Sequence, residues 1–324
     1  GAGSVILATG GGGQIYSHTD NPARITGDGY ALALNAGASL RDMEFVQFYP
    51  VGWAEPGFPK WIADVALVDY LRITDSGGEE FLKKALFEWG YRNGREANLY
   101  ARDRCALLMA EKDGSGGVYA HLEDLGEDQW NDPYLQYCLT LDARFFKGLK
   151  RPLRVAPLEH YFCGGTVIDS DGRTSVKGLY ACGEVTGGVD GANRIGGNAL
   201  GNIVTFGLRA GTAAGEECEP ASGTDHDPGS INGLLAVSGS AGKPETLRRE
   251  LQEKAWAAIG PIRETGKMQG FLSYLEDFKG RTVRIDTPMD RLYALEMEGL
   301  YMTARAVAEA ALERKNSLGT HFRV

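Results

Sequence analysis

Several common features are missing from this 324-residue chain. Its five cysteines (105, 138, 163, 182 and 218) are scattered, and no two form a Cys-x-x-Cys pair. That spacing contains no iron–sulfur or zinc motif, and with no histidine at metal-ligand spacing no metal site is expected. A reducing compartment fits this usage. No apolar run reaches membrane-spanning length and no signal peptide is evident, so a soluble chain is expected. Positive charge is in deficit: 34 Lys and Arg against 43 Asp and Glu give a net −9, which argues against nucleic acid as the main partner. An anionic substrate would need a local cationic pocket set against that field. The dinucleotide fingerprint G-x-G-x-x-G is also missing from the first strand-like segment. Counted from Gly10 its last position is Ile15, and from Gly11 it is Tyr16.

What is present is a glycine-dense stretch, Gly178 to Gly207, GLYACGEVTGGVDGANRIGGNALGNIVTFG. A short apolar strand (Leu179, Tyr180, Ala181) runs into Gly183-Glu184. A loop with glycines at 187, 188, 191, 196 and 197 follows, with Arg194 its single cation. Such a backbone can approach something flat or phosphate-bearing. A helix starting between Asn198 and Asn202 would aim free N–H groups and a positive dipole end at that object. Flexible linkers seldom hold one Arg and two Asn between glycines and then enter an apolar helix.

The run GEVTGGVDGANRIGGNAL resembles the C-terminal flavin-binding segment of the fumarate reductase and succinate dehydrogenase flavoprotein family, which includes L-aspartate oxidase. The resemblance implies FAD as cofactor. Glu184, after Gly183, would hold ribose or ribityl hydroxyls, Arg194 would clamp a substrate carboxylate, and the backbone of Asn198, Ala199 and Leu200 would touch the flavin ring. Asp190 stands where relatives commonly carry His. The opening GAGSVILATGGGGQIY resembles the family's ATGG segment, with Thr9, Gly10 and Gly11 against the cofactor. In relatives a long portion binding the ADP half of FAD precedes it. The chain is therefore expected to be a fragment, or to be completed by a separate N-terminal flavin-binding polypeptide, and to bind FAD poorly alone. NPARITGDG resembles the family's NP-x-x-TGDG turn, in which Asp28 would meet the flavin nucleotide.

The implied fold is α/β: a partial Rossmann-like FAD-binding domain (1–52 and 158–215), an inserted α+β capping domain (53–157) and a C-terminal helical domain (243–324). LRDMEFVQFYPVG resembles the segment leading into the cap, with Tyr49 replacing a carboxylate-binding His. A phenol donates one hydrogen bond and cannot become a cation. Ala63-Asp64 align with the family's Thr-Glu pair. In the cap, Asp75–Gly78 reads as a hairpin-type turn, Phe81–Gly90 as helical, and Asn98 as the N-cap of a helix from Leu99 to about Glu111. That helix carries Arg102-Asp103-Arg104. The resemblance implies that its Arg, best matched by Arg102, delivers a proton to substrate. Residues two apart on a helix diverge by roughly 200°, so Arg102 and Arg104 cannot share one pocket. Val118–Leu125 reads as a strand bearing His121, Trp130–Lys150 as cap surface, and His18 as an ordinary loop residue.

HYFCGG (160–165) resembles the family's H-Y-x-M-G-G, with His160 toward substrate and Cys163 in place of Met. Residues 210–240 read as a surface connection. Leu247, Leu251, Ala255 and Ile259 recur at helical spacing, as do Leu292, Leu295, Met302, Ala306 and Ala310. ERKNSLGTHFR resembles the family's R-x-E-S-R-G-A-H-x-R. The expected activity is hydride transfer between flavin N5 and a C=C/C–C bond of a small carboxylate, with Arg102, His160, Arg194, Tyr49 and Asp64 as catalytic residues. The resemblance also implies a cytoplasmic location, peripheral to the membrane as an alternative, and a partner that is an iron–sulfur electron-transfer subunit. Two rivals stand beside it. One is the same fold on another substrate, mono-carboxylate or amino acid, favoured by Tyr49, Ala63, Cys163 and Asp190. The other is a non-catalytic partner chain without flavin.

Overall fold

A computed structural model describes residues 2–146, 148–149, 151–219, 242–279 and 281–324. The chain divides into two compact units. The first comprises 1–17, 21–47 and 161–324, and the second 18–20 and 48–160.

The first unit begins with β1 (Val5–Leu7), which pairs in parallel with β9 (Leu179–Ala181). The glycine turn after β1 leads to α1 (Asp28–Asn35) and β2 (Leu40–Arg41). β8 (Gly165–Val167) lies between β2, antiparallel, and β10 (Thr186–Gly187), parallel. Close backbone packing requires glycine here, since a Cβ on Gly164 would stand 2.1 Å from the Asp42 carbonyl oxygen. Helix α6 (Asn198–Glu216) follows the glycine-dense loop, its start set by Gly197 in the left-handed region at φ 85°. It buries Ala210, Ala213 and Ala214 but leaves Leu200, Val204 and Leu208 exposed. Residues 210–216, expected as part of a connection, continue this helix, and the expected connection at 220–240 lies outside the described residues.

The C-terminal helices α7 (Pro244–Ile259), α8 (Thr265–Lys279) and α9 (Pro288–Glu313) belong to this same unit. Thr287 and Asp290 form a reciprocal capping box that opens α9. The helix expected from the spacing of Leu292, Leu295, Met302, Ala306 and Ala310 forms, but the face it buries is a different one. Leu295 is exposed and Met302 half-buried, whereas Gly299, Leu300, Thr303, Ala304, Val307, Ala308 and Ala311 are buried. Small residues win that face because α9 packs backbone-close: a Cβ on Gly27 would lie 1.9 Å from Thr303 Oγ1. The long C-terminal helix thereby holds the glycine turn that precedes α1.

The chain leaves the first unit within β3 (Val46–Trp53) and returns within β7 (Leu153–Phe162). The sheet they belong to has the order β4 (Ile62–Ala63), β3, β7, β6 (Val118–Ala120), β5 (Ile73–Asp75). Helices α2 (Leu82–Glu88), α3 (Gly94–Tyr100), α4 (Arg102–Gly114) and α5 (Pro133–Leu139) surround a core that includes Trp53, Leu67, Leu82, Met109 and Leu153. The single helix expected from Leu99 is two helices. Asn93, not Asn98, caps the first, its side chain accepting from Glu96 N. Val118–Leu125 is a three-residue strand followed by a 3-10 turn at Leu122–Asp124, with His121 at the junction. Trp130–Lys150 is not all surface, because Leu135, Cys138, Leu139 and Phe146 are fully buried.

Candidate functional site

In the first unit the glycine loop, the start of α6, Gln47 of β3 and Tyr161 of β7 assemble one polar cluster. Arg194 is buried, 8% exposed, and its guanidinium lies 4.0 Å over the Tyr161 ring. Nη2 donates to Gln47 Oε1 at 3.1 Å, while Gln47 Nε2 donates to Asn193 Oδ1 and to the Arg194 carbonyl. Nε is buried with no hydrogen-bond partner, and among the described residues no carboxylate is within ion-pair reach of the guanidinium. A buried cation without a countercharge is costly unless an anion joins it. The C-terminal tail braces this loop, as Thr320 N donates to the Ala192 carbonyl at 2.9 Å. Asp190 does not pair with Arg194. It accepts from Tyr161 OH at 3.1 Å and from Asn198 Nδ2 at 2.6 Å. Burial and the Asp190 charge push the Tyr161 phenol pKa upward. Cys163 lies beneath, its thiol pushed up by burial to about 12, so it is a packing group and not a thiolate.

Beside this cluster lies a narrow cradle. Glu184 Oε1 accepts from Phe162 N at 2.9 Å, and a Cβ on Gly11 would stand 2.3 Å from that same oxygen. Gly10 and Gly183 adopt φ 73° and 80°. Thr9 sits against Gly29, where a Cβ would meet Thr9 Oγ1 at 1.8 Å. Asn198, Ala199 and Leu200 form the first turn of α6, and Asn202 buries both amide atoms with no partner. Asp28 is held otherwise: Thr26 Oγ1 donates to it at 2.7 Å, and its Oδ1 faces Gly299 of α9. Side-chain-free backbone, a carboxylate at the turn and the amides of a helix's first turn fit a flat, hydroxyl-bearing cofactor such as FAD.

The second unit holds a different group. Tyr49 OH donates to Asn98 Oδ1 at 3.0 Å, Asn98 Nδ2 donates to Asp64 Oδ2 at 2.8 Å, and Asp64 Oδ1 accepts from Ala66 N at 2.8 Å. The Arg102 guanidinium lies 5.0 Å over the Tyr49 ring, and its buried Nε has no hydrogen-bond partner. Arg104 instead stacks 4.2 Å over Trp89. Of the two arginines, then, only Arg102 joins this cluster. His160 packs edge-on to Tyr49, ring centroids 5.7 Å apart, and its Nδ1 bonds Asp20 Oδ2 at 2.8 Å. Burial raises the Asp64 pKa against the opposing pull of the Ala66 N–H and Arg102, and burial with the Asp64 charge raises that of Tyr49. Within this unit Tyr49, Asp64, Arg102 and His160 come together; Arg194, Glu184 and the α6 residues group separately in the first. Asn98, Asp20, Gln47 and Tyr161 are further members of the two clusters. Only Tyr161, inside HYFCGG, and Gln47, inside QFYP, carried a sequence signal.

Residues 1–200 match the FAD binding domain family, and 248–324 match the family described as fumarate reductase flavoprotein C-term. The fumarate reductase (CoM/CoB) of Methanothermobacter marburgensis has a subunit that is 34% identical across 99% of this chain and 61% of its own length. L-aspartate oxidase of Halobacterium salinarum is 33% identical across 99% of this chain and 60% of its own. Among solved structures, Mycobacterium smegmatis Sdh1 in complex with UQ1 superposes with a TM-score of 0.81 at 29% identity, covering 99% of this chain and 56% of that one. The fold is that of an FAD-binding flavoprotein. The chain belongs to the fumarate reductase and succinate dehydrogenase flavoprotein family, a family of flavin-dependent oxidoreductases whose cofactor is FAD. It spans less than two thirds of the length of the curated relatives it matches. No helix among the described residues is long and apolar enough to cross a membrane.

Proposed function

We propose that this chain carries the flavin-facing and substrate-binding residues of an oxidoreductase acting on a C=C/C–C bond of a small carboxylate. The observation that carries the proposal is Arg194, a buried guanidinium with an unfilled Nε and no carboxylate partner among the described residues. Its planar fork matches a carboxylate, and Gln47 with the Tyr161 ring fixes its orientation. Bound FAD supplies hydride acceptance or donation at N5. Glu184 and the Gly10-Gly11 backbone would hold it, with the first turn of α6 offering N–H donors to its ring. His160, oriented by Asp20, would bind a carboxylate oxygen. Arg102, its guanidinium over the Tyr49 ring, would hold or deliver the proton at the neighbouring carbon. An iron–sulfur partner would exchange electrons, since this sequence has no cluster motif of its own.

Arg194→Lys tests this in the flavin-loaded protein. A point charge cannot reproduce the bidentate fork, so turnover of fumarate with a reduced dye should fall by roughly a hundredfold or more. Turnover within about threefold of the parent would end the assignment. A second reading, a substrate with one carboxylate or an amino acid, is favoured by Tyr49, whose only proton is already given to Asn98. Comparison of fumarate with a mono-acid enoate separates the two.

A further inference from the structure

The chain Tyr49–Asn98–Asp64 has a direction set by proton count. An ionised carboxylate only accepts, so Asn98 must turn Nδ2 toward Asp64 and Oδ1 toward Tyr49, and Tyr49 must donate inward. The phenol oxygen then has lone pairs alone to offer on its other side. If Asp64 takes up a proton, the count reverses. Its Oδ2–H donates to Asn98 Oδ1 after a half-turn of the amide, Asn98 Nδ2 donates to the phenol oxygen, and the Tyr49 proton is released to point elsewhere. Asp64 Oδ1 keeps the Ala66 N–H in both states. No heavy atom outside the amide has to move.

We infer that Asn98 is a positioning residue that makes Tyr49 an acceptor toward substrate when Asp64 is ionised and a donor when Asp64 is protonated. The inference rests on the proposed reading of Tyr49 as a substrate-facing group. Its consequence is specificity: the acceptor state repels a bare carboxylate and suits an ammonium or hydroxyl, whereas the donor state donates to a carboxylate oxygen. Asp64 faces the attractive charges of Arg102 and Arg95 and the repulsive Asp69, with Tyr49, Tyr134 and Cys138 also beside it. Tyr49 in turn faces Arg102, His160 and Tyr137. Burial dominates for Asp64 and raises its pKa, so the exchange falls above the ordinary carboxylate range, with the donor state on the acid side.

The test is the binding of fumarate to the oxidised, flavin-loaded protein by calorimetry, a state in which no electrons are present to reduce it. At about pH 5.5 the parent should bind fumarate roughly tenfold more tightly than at about pH 8. Asn98→Leu frees the Tyr49 proton at every pH, so its affinity at about pH 8 should rise toward the parent's low-pH value. The ratio between its two pH values should then be clearly smaller than the parent's. Tyr49→Phe, which keeps the ring under Arg102, should bind weakly at both pH values. A parent pH ratio equal to that of Asn98→Leu, or weaker fumarate binding by Asn98→Leu at both pH values, would overturn the relay while leaving the Arg194 assignment standing. No fumarate binding by the parent at either pH would overturn the proposed function itself.

Discussion

The two units manage buried polarity in opposite ways. In the first, the key cation is left incomplete: Arg194 is buried, has one hydrogen bond to Gln47 and an unfilled Nε. In the second, Tyr49, Asn98 and Asp64 use one another fully, and within that cluster only Arg102 keeps an unfilled buried nitrogen. An incomplete cation stores an unmet demand that a ligand anion satisfies, which is affinity. A closed chain of donors and acceptors stores a polarity, which is discrimination. On the proposed reading, the first unit would bind the substrate, and the second would discriminate and move a proton.

The largest expected effect comes from removing that proton carrier. Arg102→Gln should lower turnover in the flavin-loaded protein by roughly a hundredfold to ten-thousandfold with little change in flavin content. Arg104→Gln, stacked on Trp89, should stay within about threefold. The opposite ranking in steady-state kinetics would break the division of labour within the second unit. Next is Gly11→Ala in the first unit. Its Cβ would overlap Glu184 Oε1 and push that carboxylate off Phe162 N, so the visible flavin absorbance per protein should drop by about tenfold. Full flavin retention would show that Glu184 is not part of the cradle.

A smaller effect concerns stability. His321 is fully buried, accepts from Arg263 through Nδ1 at 2.7 Å and donates through Nε2 to the Arg314 carbonyl. Burial and the neighbouring arginines lower its pKa to about 4 from the ordinary histidine value of 6.5. Because the folded value is depressed, the unfolded chain takes up the proton first, and stability is lost as pH falls from 6.5 toward 4. Between about pH 7 and about pH 5 urea unfolding should show a loss of about 2 kcal/mol from this group. His321→Asn should be less stable but flatter in pH, and an unchanged slope would sink the account. The smallest effect is Arg104→Ala, about 1 kcal/mol from the lost stacking on Trp89, with a larger loss in thermal unfolding contradicting its surface role.

Much of the first unit's cluster was legible in the chain. The helix start at Asn198, the strands at Val5 and Leu179, and Arg194 among glycines follow from local residue type. Glycine φ freedom and helix-start chemistry depend on few neighbours. The second unit was harder to read. Asn98 looks like a helix cap because Asn favours that position, yet Asn93 five residues earlier takes it and leaves Asn98 for Tyr49 and Asp64. The local distinction is small: Glu96 follows Asn93 by three residues, whereas Ala101 follows Asn98. The apolar stripe of α9 foretold the helix but not its buried face, since backbone-close packing favours the face with Gly299 and Thr303 over the face with Leu295.

By itself, then, the sequence determined the glycine-dense loop, its lone arginine and the family. Those depend on glycine placement and motif spacing within a few dozen residues. Only the tertiary structure decided which arginine meets Tyr49, that Asp20 holds His160 from 140 residues away, and that Asp190 turns to Tyr161 and Asn198 instead of Arg194. A hydrogen bond is decided by which atoms a fold brings within about 3 Å, and no pattern along a chain specifies that.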